Sequence, residues 1–308
     1  MEIQGSKTAL GCTQPIKTSR RIVLFPLPFQ GHINPMLQLA NILHTQGFKI
    51  TIIHAEYNSP NPSNYPHFIF KSIKDRFSEI ADQLGTNKDP SYFVRYLNKS
   101  CVEPFKECLA RLLAESDTDL VACVITDAGF YFTQAVADDL KIPRMVLRTS
   151  SLGCVLAYDA LPFYSKKDCF NLTKEASEYC NRGRVVKWSP QQEVLAHSAT
   201  GCFWTHNGWN STLESICEGV PMICSPNFAD QPVNARYVTD VWKIGVMLEN
   251  GFEMKEIEMA IRRIMTEKEG EEMNERISCL KKKLNISLNE GGSSNESLQN
   301  LVHYISSL

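Results

Sequence analysis

The chain has 308 residues, above the size at which a single hydrophobic core usually stops growing, so two lobes are expected. Its 32 basic and 34 acidic residues are mixed along the chain and leave a formal net charge of −2, which excludes the electrostatic footprint of a nucleic-acid binder or of a protein held on an anionic membrane. Eleven cysteines, odd in number, scattered and without a C-x-x-C pair, argue against a disulfide framework and a zinc site; they read as reduced cytoplasmic thiols, with small molecules as the expected partners.

Residues 1–18 are polar and aperiodic, lack the apolar core of a secretory leader, and are expected to form a disordered tail. No apolar run approaches the ~20 residues that a membrane helix needs, so no membrane span is expected and the location is read as cytoplasmic. From Arg20 the text "RRIVLFPLPFQGHINPMLQLANILHTQGFKITIIHAE" reads as strand, loop, helix and strand. Ile22 to Phe25 are apolar and β-prone, while Met36, Leu39, Ala40 and Leu43 repeat at helical spacing. Asn34 is the expected N-cap, with Pro35 at the first helical position and Gly47 closing the helix.

A second unit follows, with a buried strand at Leu120–Ile125, a helix at Phe130–Leu140 and a strand at Arg144–Leu147, so the N-terminal lobe is a doubly wound α/β domain over 19–164. Residues 72–115 mix helical and loop patterns and are left unassigned in detail. A polar stretch at 165–184 reads as a shortened junction. Beyond it the α/β alternation resumes over 185–308, with strands at Val185–Lys187, Gly201–Thr205, Pro221–Ser225 and Ile244–Leu248. Helices are expected at Gln191–His197, Asn210–Glu218 and Val233–Trp242, followed by a charged helical tail. The expected fold is α/β with two Rossmann-like lobes.

Chemistry concentrates at two places. The turn "HNGW" leads into the helix at Asn210, which aims unpaired backbone N–H groups and the positive dipole end at whatever precedes it; a diphosphate suits that position. Ser211 and Glu214 also match the S-x-x-E capping box, in which each side chain satisfies a helix N–H. His32 follows the first strand in a glycine-bounded loop at the carboxyl end of the sheet, where open α/β sheets bind their ligands. Asp127 closes another strand of that sheet, and a carboxylate behind a histidine fixes its tautomer and stabilises the imidazolium. His32 is read as a general base and Asp127 as its partner. Asp117-Thr118-Asp119 matches the D-x-D pattern of metal-dependent sugar transfer but precedes its strand, on the wrong edge of the sheet, and reads as a solvated turn.

The segment from Trp188 to Gln231, "WSPQQEVLAHSATGCFWTHNGWNSTLESICEGVPMICSPNFADQ", resembles the signature box of plant UDP-sugar-dependent glycosyltransferases, and "FPLPFQGHINPMLQLA" resembles the opening of the same family. The resemblance implies a GT-B fold and an inverting transfer from a UDP-sugar, a co-substrate rather than a cofactor, to a hydroxyl of a small lipophilic acceptor, without a metal. It implies that His206 and Ser211 contact the diphosphate within a cradle of Gly208, Trp209 and Asn210. It further implies that Trp188 stacks on the uracil, Gln191 helps bind the nucleoside, Glu214 accepts from the ribose hydroxyls, and Asp230 and Gln231 read the sugar, with Gln231 leaning toward UDP-glucose.

One departure stands out. In the family a strand, a Ser/Gly-rich loop that touches the diphosphate, a helix and a further strand open the second lobe, and none is found before "GRVVKW". The C-terminal lobe is therefore expected to be incomplete, with four recognisable strands and an exposed apolar edge. The alternative function is a non-catalytic remnant that binds an acceptor or a partner without turnover.

Overall fold

The computed structural model describes residues 20–77, 90–115, 120–160, 186, 188–249 and 252–308. The expected tail at 1–18, the junction at 165–184, the Asp117–Asp119 turn and the ends of the strand expected at 185–187 lie outside the described residues. The chain divides into two compact units, one holding the chain up to Phe25 and Leu39–Met145, the other Pro26–Gln38 and Val146–Ser307.

In the first unit a five-stranded sheet has the order β3-β2-β1-β4-β5. Its strands are β1 (Arg21–Phe25), β2 (Lys49–Ala55), β3 (Ile69–Ile73), β4 (Val121–Asp127) and β5 (Arg144–Leu147). β1 pairs in parallel with β2 on one side and β4 on the other, and Ile22 to Phe25 are buried on both faces, as a continuous apolar run at the centre of a parallel sheet requires. The Phe25 ring stacks between Phe105 and Phe130, with centroids 4.6 and 4.2 Å away. The stretch left unassigned in the sequence contains helices α2 (Pro90–Ser100) and α3 (Val102–Ala114), the latter burying Phe105, Cys108, Leu109 and Leu112 at helical spacing. Helix α4 (Thr133–Asp139) joins β4 to β5 where a helix was expected.

Helix α1 (Gln30–Thr45) ends as expected but begins earlier. Gly47 lies at φ +93° and closes a Schellman turn, with Gly47 N–H on the His44 carbonyl and Phe48 N–H on the Leu43 carbonyl. Asn34 is not the N-cap. The chain is already helical from Gln30, and Asn34 Oδ1 accepts from Gln30 Nε2 at 2.6 Å within the first turns. Pro35 sits inside the helix, so the Gly31 carbonyl, four residues earlier, has no N–H to receive.

The second unit is built on a parallel sheet β6-β7-β8, comprising Phe203–Thr205, Met222–Cys224 and Gly245–Met247. These are three of the four expected strands; the fourth is the one at 185–187. Successive residues of β7 face opposite sides. Met222 and Cys224 pack with Ile216, Ala235, Val238 and Ile277, while Ile223 packs with Ala260, Ile264 and Met273, so helices cover both faces. These helices are α7 (Trp209–Glu218), α8 (Gln231–Arg236), α9 (Met254–Met265) and α10 (Lys268–Leu288), with α11 (Ser293–Ser307) last. β6 is an edge strand among the described residues, and near it Trp204 and Phe252 are exposed with their rings 5.7 Å apart.

The boundary expected after residue 164 falls earlier in the compact division, after Met145. Helix α5 (Leu152–Ala160) packs on α8, and Gly153 approaches Tyr237 so closely that a Cβ there would stand 2.7 Å from the ring. That contact ties the end of the expected N-terminal lobe to the second unit.

Among the described residues no helix is long and apolar enough to cross a membrane, and the eight cysteines are free thiols. Burial pushes the Cys101, Cys123 and Cys224 thiols up to about 12, as for packing residues rather than nucleophiles.

Candidate active site

The site is built where β6 hands over to α7. Asn207 takes a left-handed conformation, φ +59°, with its N–H on Thr205 Oγ1 at 3.1 Å and its Nδ2 3.3 Å from Cys224 Sγ. Asparagine tolerates that conformation better than a branched residue. Gly208 follows as the N-cap of α7 and offers no side-chain cap, so the first intrahelical bond is Thr212 N–H to the Gly208 carbonyl. The N–H groups of Trp209, Asn210 and Ser211 therefore have no acceptor within the helix and point forward with the dipole. A Cβ on Gly208 would stand 2.5 Å from His206 Nε2, so glycine is what allows the imidazole to fold over the helix end. The surrounding protein disfavours the imidazolium and lowers the His206 pKa from its ordinary value, with Asp230 opposing the shift.

Ser211 and Glu214 do not form the capping box. With Gly208 at the N-cap, Ser211 is the third helical residue, and Ser211 Oγ and Glu214 Oε2 instead accept from Gln191 Nε2, at 3.1 and 2.6 Å. Gln191 opens helix α6 (Gln191–Ala196), and the neighbouring Gln192 donates to Glu214 Oε1 at 3.2 Å. Two amides thus fix the plane of the carboxylate, which retains acceptor capacity on both oxygens. Three residues before Gln191, Trp188 is 73% exposed, the reverse of a core indole.

Asp230 and Gln231 begin α8 after Ala229, another left-handed residue at φ +56°. Gln231 is buried, and its Oε1 accepts from the N–H groups of Asn227 and Phe228 at 2.9 and 3.1 Å, which orients the amide. Asp230 Oδ2 accepts from Asn234 Nδ2 at 2.8 Å.

His32 lies in the first turn of α1 rather than in a loop, and its Nδ1 is 3.0 Å from Thr149 Oγ1. Asp127 is buried at the end of β4 and accepts from the Gly129 N–H at 2.8 Å. The next link joins the two parts of the second unit. The Gly31 carbonyl, left without a helical donor by Pro35, receives Asn210 Nδ2 at 3.0 Å. The turn carrying His32 is thereby tied to the first turn of α7.

Comparison with known proteins decides the family. UDP-glycosyltransferase 76G1 of Stevia rebaudiana is 35% identical over 450 aligned positions spanning 95% of this chain and 98% of the relative. The chain belongs to the UDP-glycosyltransferase family. The sequence model of UDP-glucoronosyl and UDP-glucosyl transferases matches residues 164–286. Among solved structures, Os79 from O. sativa in complex with U2F and trichothecene is similar with a TM-score of 0.76, at 21% identity, covering 92% of this chain and all of that one. The UDP-glucose: anthocyanidin 3-O-glucosyltransferase in complex with UDP is similar with a TM-score of 0.77, at 18% identity, covering 95% and 100%. These likenesses establish the GT-B-type α/β fold. The 450 aligned positions exceed the 308 residues of this UDP-glycosyltransferase, so the Stevia relative carries a long stretch with no counterpart here.

Within this family member the described residues bring together Gln191, Ser211 and Glu214, and place His206 within electrostatic reach of Asp230. Three residues of the site were missed from sequence: Gln192, Thr149 and Asn234. The Asn210–Gly31 link generates a direct test. Asn210→Ala is expected to cost about 0.5–1 kcal/mol in urea denaturation. In a Pro35→Ala background, where residue 35 supplies the missing N–H, the same change is expected to cost much less. Equal costs in the two backgrounds would show that Asn210 does not compensate for the proline.

Proposed function

We propose that the chain transfers glucose from UDP-glucose to a hydroxyl of a small lipophilic acceptor, with inversion at the anomeric carbon. The observation that carries this reading is the uncapped start of α7 beneath His206, flanked by the Gln191–Ser211–Glu214 network. In this reading the diphosphate accepts from the N–H groups of Trp209, Asn210 and Ser211, and the ribose hydroxyls donate to Glu214. Trp188 stacks on the uracil; an indole that already faces solvent supplies such a platform without unpacking a core. Asp230 and Gln231 read the hexose hydroxyls.

His32 takes the proton of the acceptor hydroxyl. With Nδ1–H donating to Thr149 Oγ1, Nε2 carries the lone pair that takes the proton. The acceptor oxygen bonds to the anomeric carbon as the bond to the UDP oxygen breaks. Negative charge then develops on the diphosphate, where the helix end stabilises it, and this step requires no metal.

A second reading is favoured by one observation, the length of relative that this chain lacks. It is that of a remnant which binds without turnover. Mass spectrometry of purified chain incubated with UDP-glucose and a panel of lipophilic hydroxylated aglycones separates the two. Transfer predicts products heavier by one hexose and a fall of roughly 10²- to 10⁴-fold in rate for His32→Ala. Product formation unchanged in His32→Ala would remove it from the mechanism, and bound UDP-glucose without any product would support the remnant.

The depressed His206 pKa yields a pH test. The free protein disfavours the imidazolium, but a bound diphosphate favours it, so binding raises the pKa and takes up a proton. UDP-glucose affinity is therefore expected to increase as pH falls through the bound-state pKa toward the lower free-state value, and this increase is expected to vanish in His206→Asn. Calorimetry across that range checks it; an affinity independent of pH would place His206 away from the diphosphate.

A further inference from the structure

Asn234, the donor to Asp230, is fully buried in α8 and has been given no role in the proposed chemistry. Its Nδ2 donates to the Asn207 carbonyl at 3.0 Å and to Asp230 Oδ2 at 2.8 Å, while its Oδ1 accepts from Ser151 Oγ at 2.9 Å. The orientation of the amide follows from its partners. A carbonyl and a carboxylate can only accept, and Ser151 Oγ, which itself accepts from the Cys154 N–H, has its proton to give. Both turns that Asn234 reaches are left-handed next to the bonded group, at Asn207 with φ +59° and at Ala229 with φ +56°. Such turns persist where their surroundings hold them.

We propose that Asn234 is a positioning residue for the sugar end of the donor site: it aims the Asp230 carboxylate at the hexose and locks that turn to the diphosphate turn. The inference rests on the donor reading given above. The two turns depend on it unequally. The diphosphate turn keeps its bonds to Thr205 Oγ1 and Cys224 Sγ if Asn234 is lost, whereas the Asp230 carboxylate loses a 2.8 Å charge-assisted donor. Loss of Asn234 therefore weakens recognition of the sugar more than recognition of the nucleotide. The Ser151 bond extends the same clamp to the start of α5, two residues beyond Thr149, the partner of the His32 ring.

The test titrates the full chain with UDP and, separately, with UDP-glucose by ligand-observed NMR into the millimolar range, for wild type, Asn234→Ala and Ser151→Ala, with thermal melting of each. Asn234→Ala is expected to lower UDP-glucose affinity about tenfold and UDP affinity less than about threefold, so that the ratio of the two changes. Ser151→Ala, which leaves Asn234 in place but frees its Oδ1, is expected to change the ratio in the same direction by less, and carries the test if Asn234→Ala does not fold. Equal losses for both nucleotides, or an unchanged ratio in a folded variant, would overturn the inference and leave the donor reading standing. A wild-type chain that binds neither nucleotide would overturn the donor reading and this inference with it.

Discussion

A helix that begins without a side-chain cap must find partners elsewhere for its first N–H groups, and α7 begins this way. Gly208 gives no cap, and the residues expected to cap the helix, Ser211 and Glu214, are bonded to Gln191 instead. Three backbone donors and the positive end of a ten-residue helix are left facing the turn at His206. The rest of the site follows from that vacancy of acceptors. His206 closes over it because Gly208 has no Cβ, Gln191 and Gln192 orient the carboxylate beside it, and Asn234 holds its approach from behind.

A second missing hydrogen bond does related work at α1. Pro35 lies inside the helix and cannot donate to the Gly31 carbonyl, and Asn210 supplies the donor. Asn210 is itself one of the three residues with an unpaired backbone N–H. One residue thus offers its side chain to the turn that carries His32 and its main chain to the proposed diphosphate. The proposed base and the donor end of the site are coupled through it.

Much of the fold was legible in the sequence because parallel strands buried on both faces read as apolar runs. Ile22 to Phe25 and the run beginning at Leu120 declared themselves in this way, as did the helix stop at Gly47. Local signals misled where a distant partner changed the outcome. Asn34-Pro35 reads as a helix start, yet the helix extends back to Gln30, because Asn210, remote in the chain, satisfies the carbonyl that the proline leaves open. Ser211 and Glu214 read as a cap, yet Gln191 engages both. Thr149 and Asn234 carried no signal at all, since a threonine 117 positions from His32 and an asparagine in the middle of a short helix declare their roles only when folding brings their partners within 3 Å. That Trp188 is exposed rather than a core indole likewise shows only in three dimensions.

The family assignment and the missing stretch of chain pull in different directions, and the uncapped helix is where they meet. If the first turn of α7 and its flanking network suffice, this chain holds a nucleotide sugar without the block that its relatives possess. The most direct measurement is the backbone amide spectrum of the isotopically labelled chain during addition of UDP-glucose. The account predicts that the N–H signals of Trp209, Asn210 and Ser211 move together and saturably, downfield as they donate to the diphosphate. Signals at these three positions that stay fixed to millimolar ligand, while the chain remains folded, would contradict it.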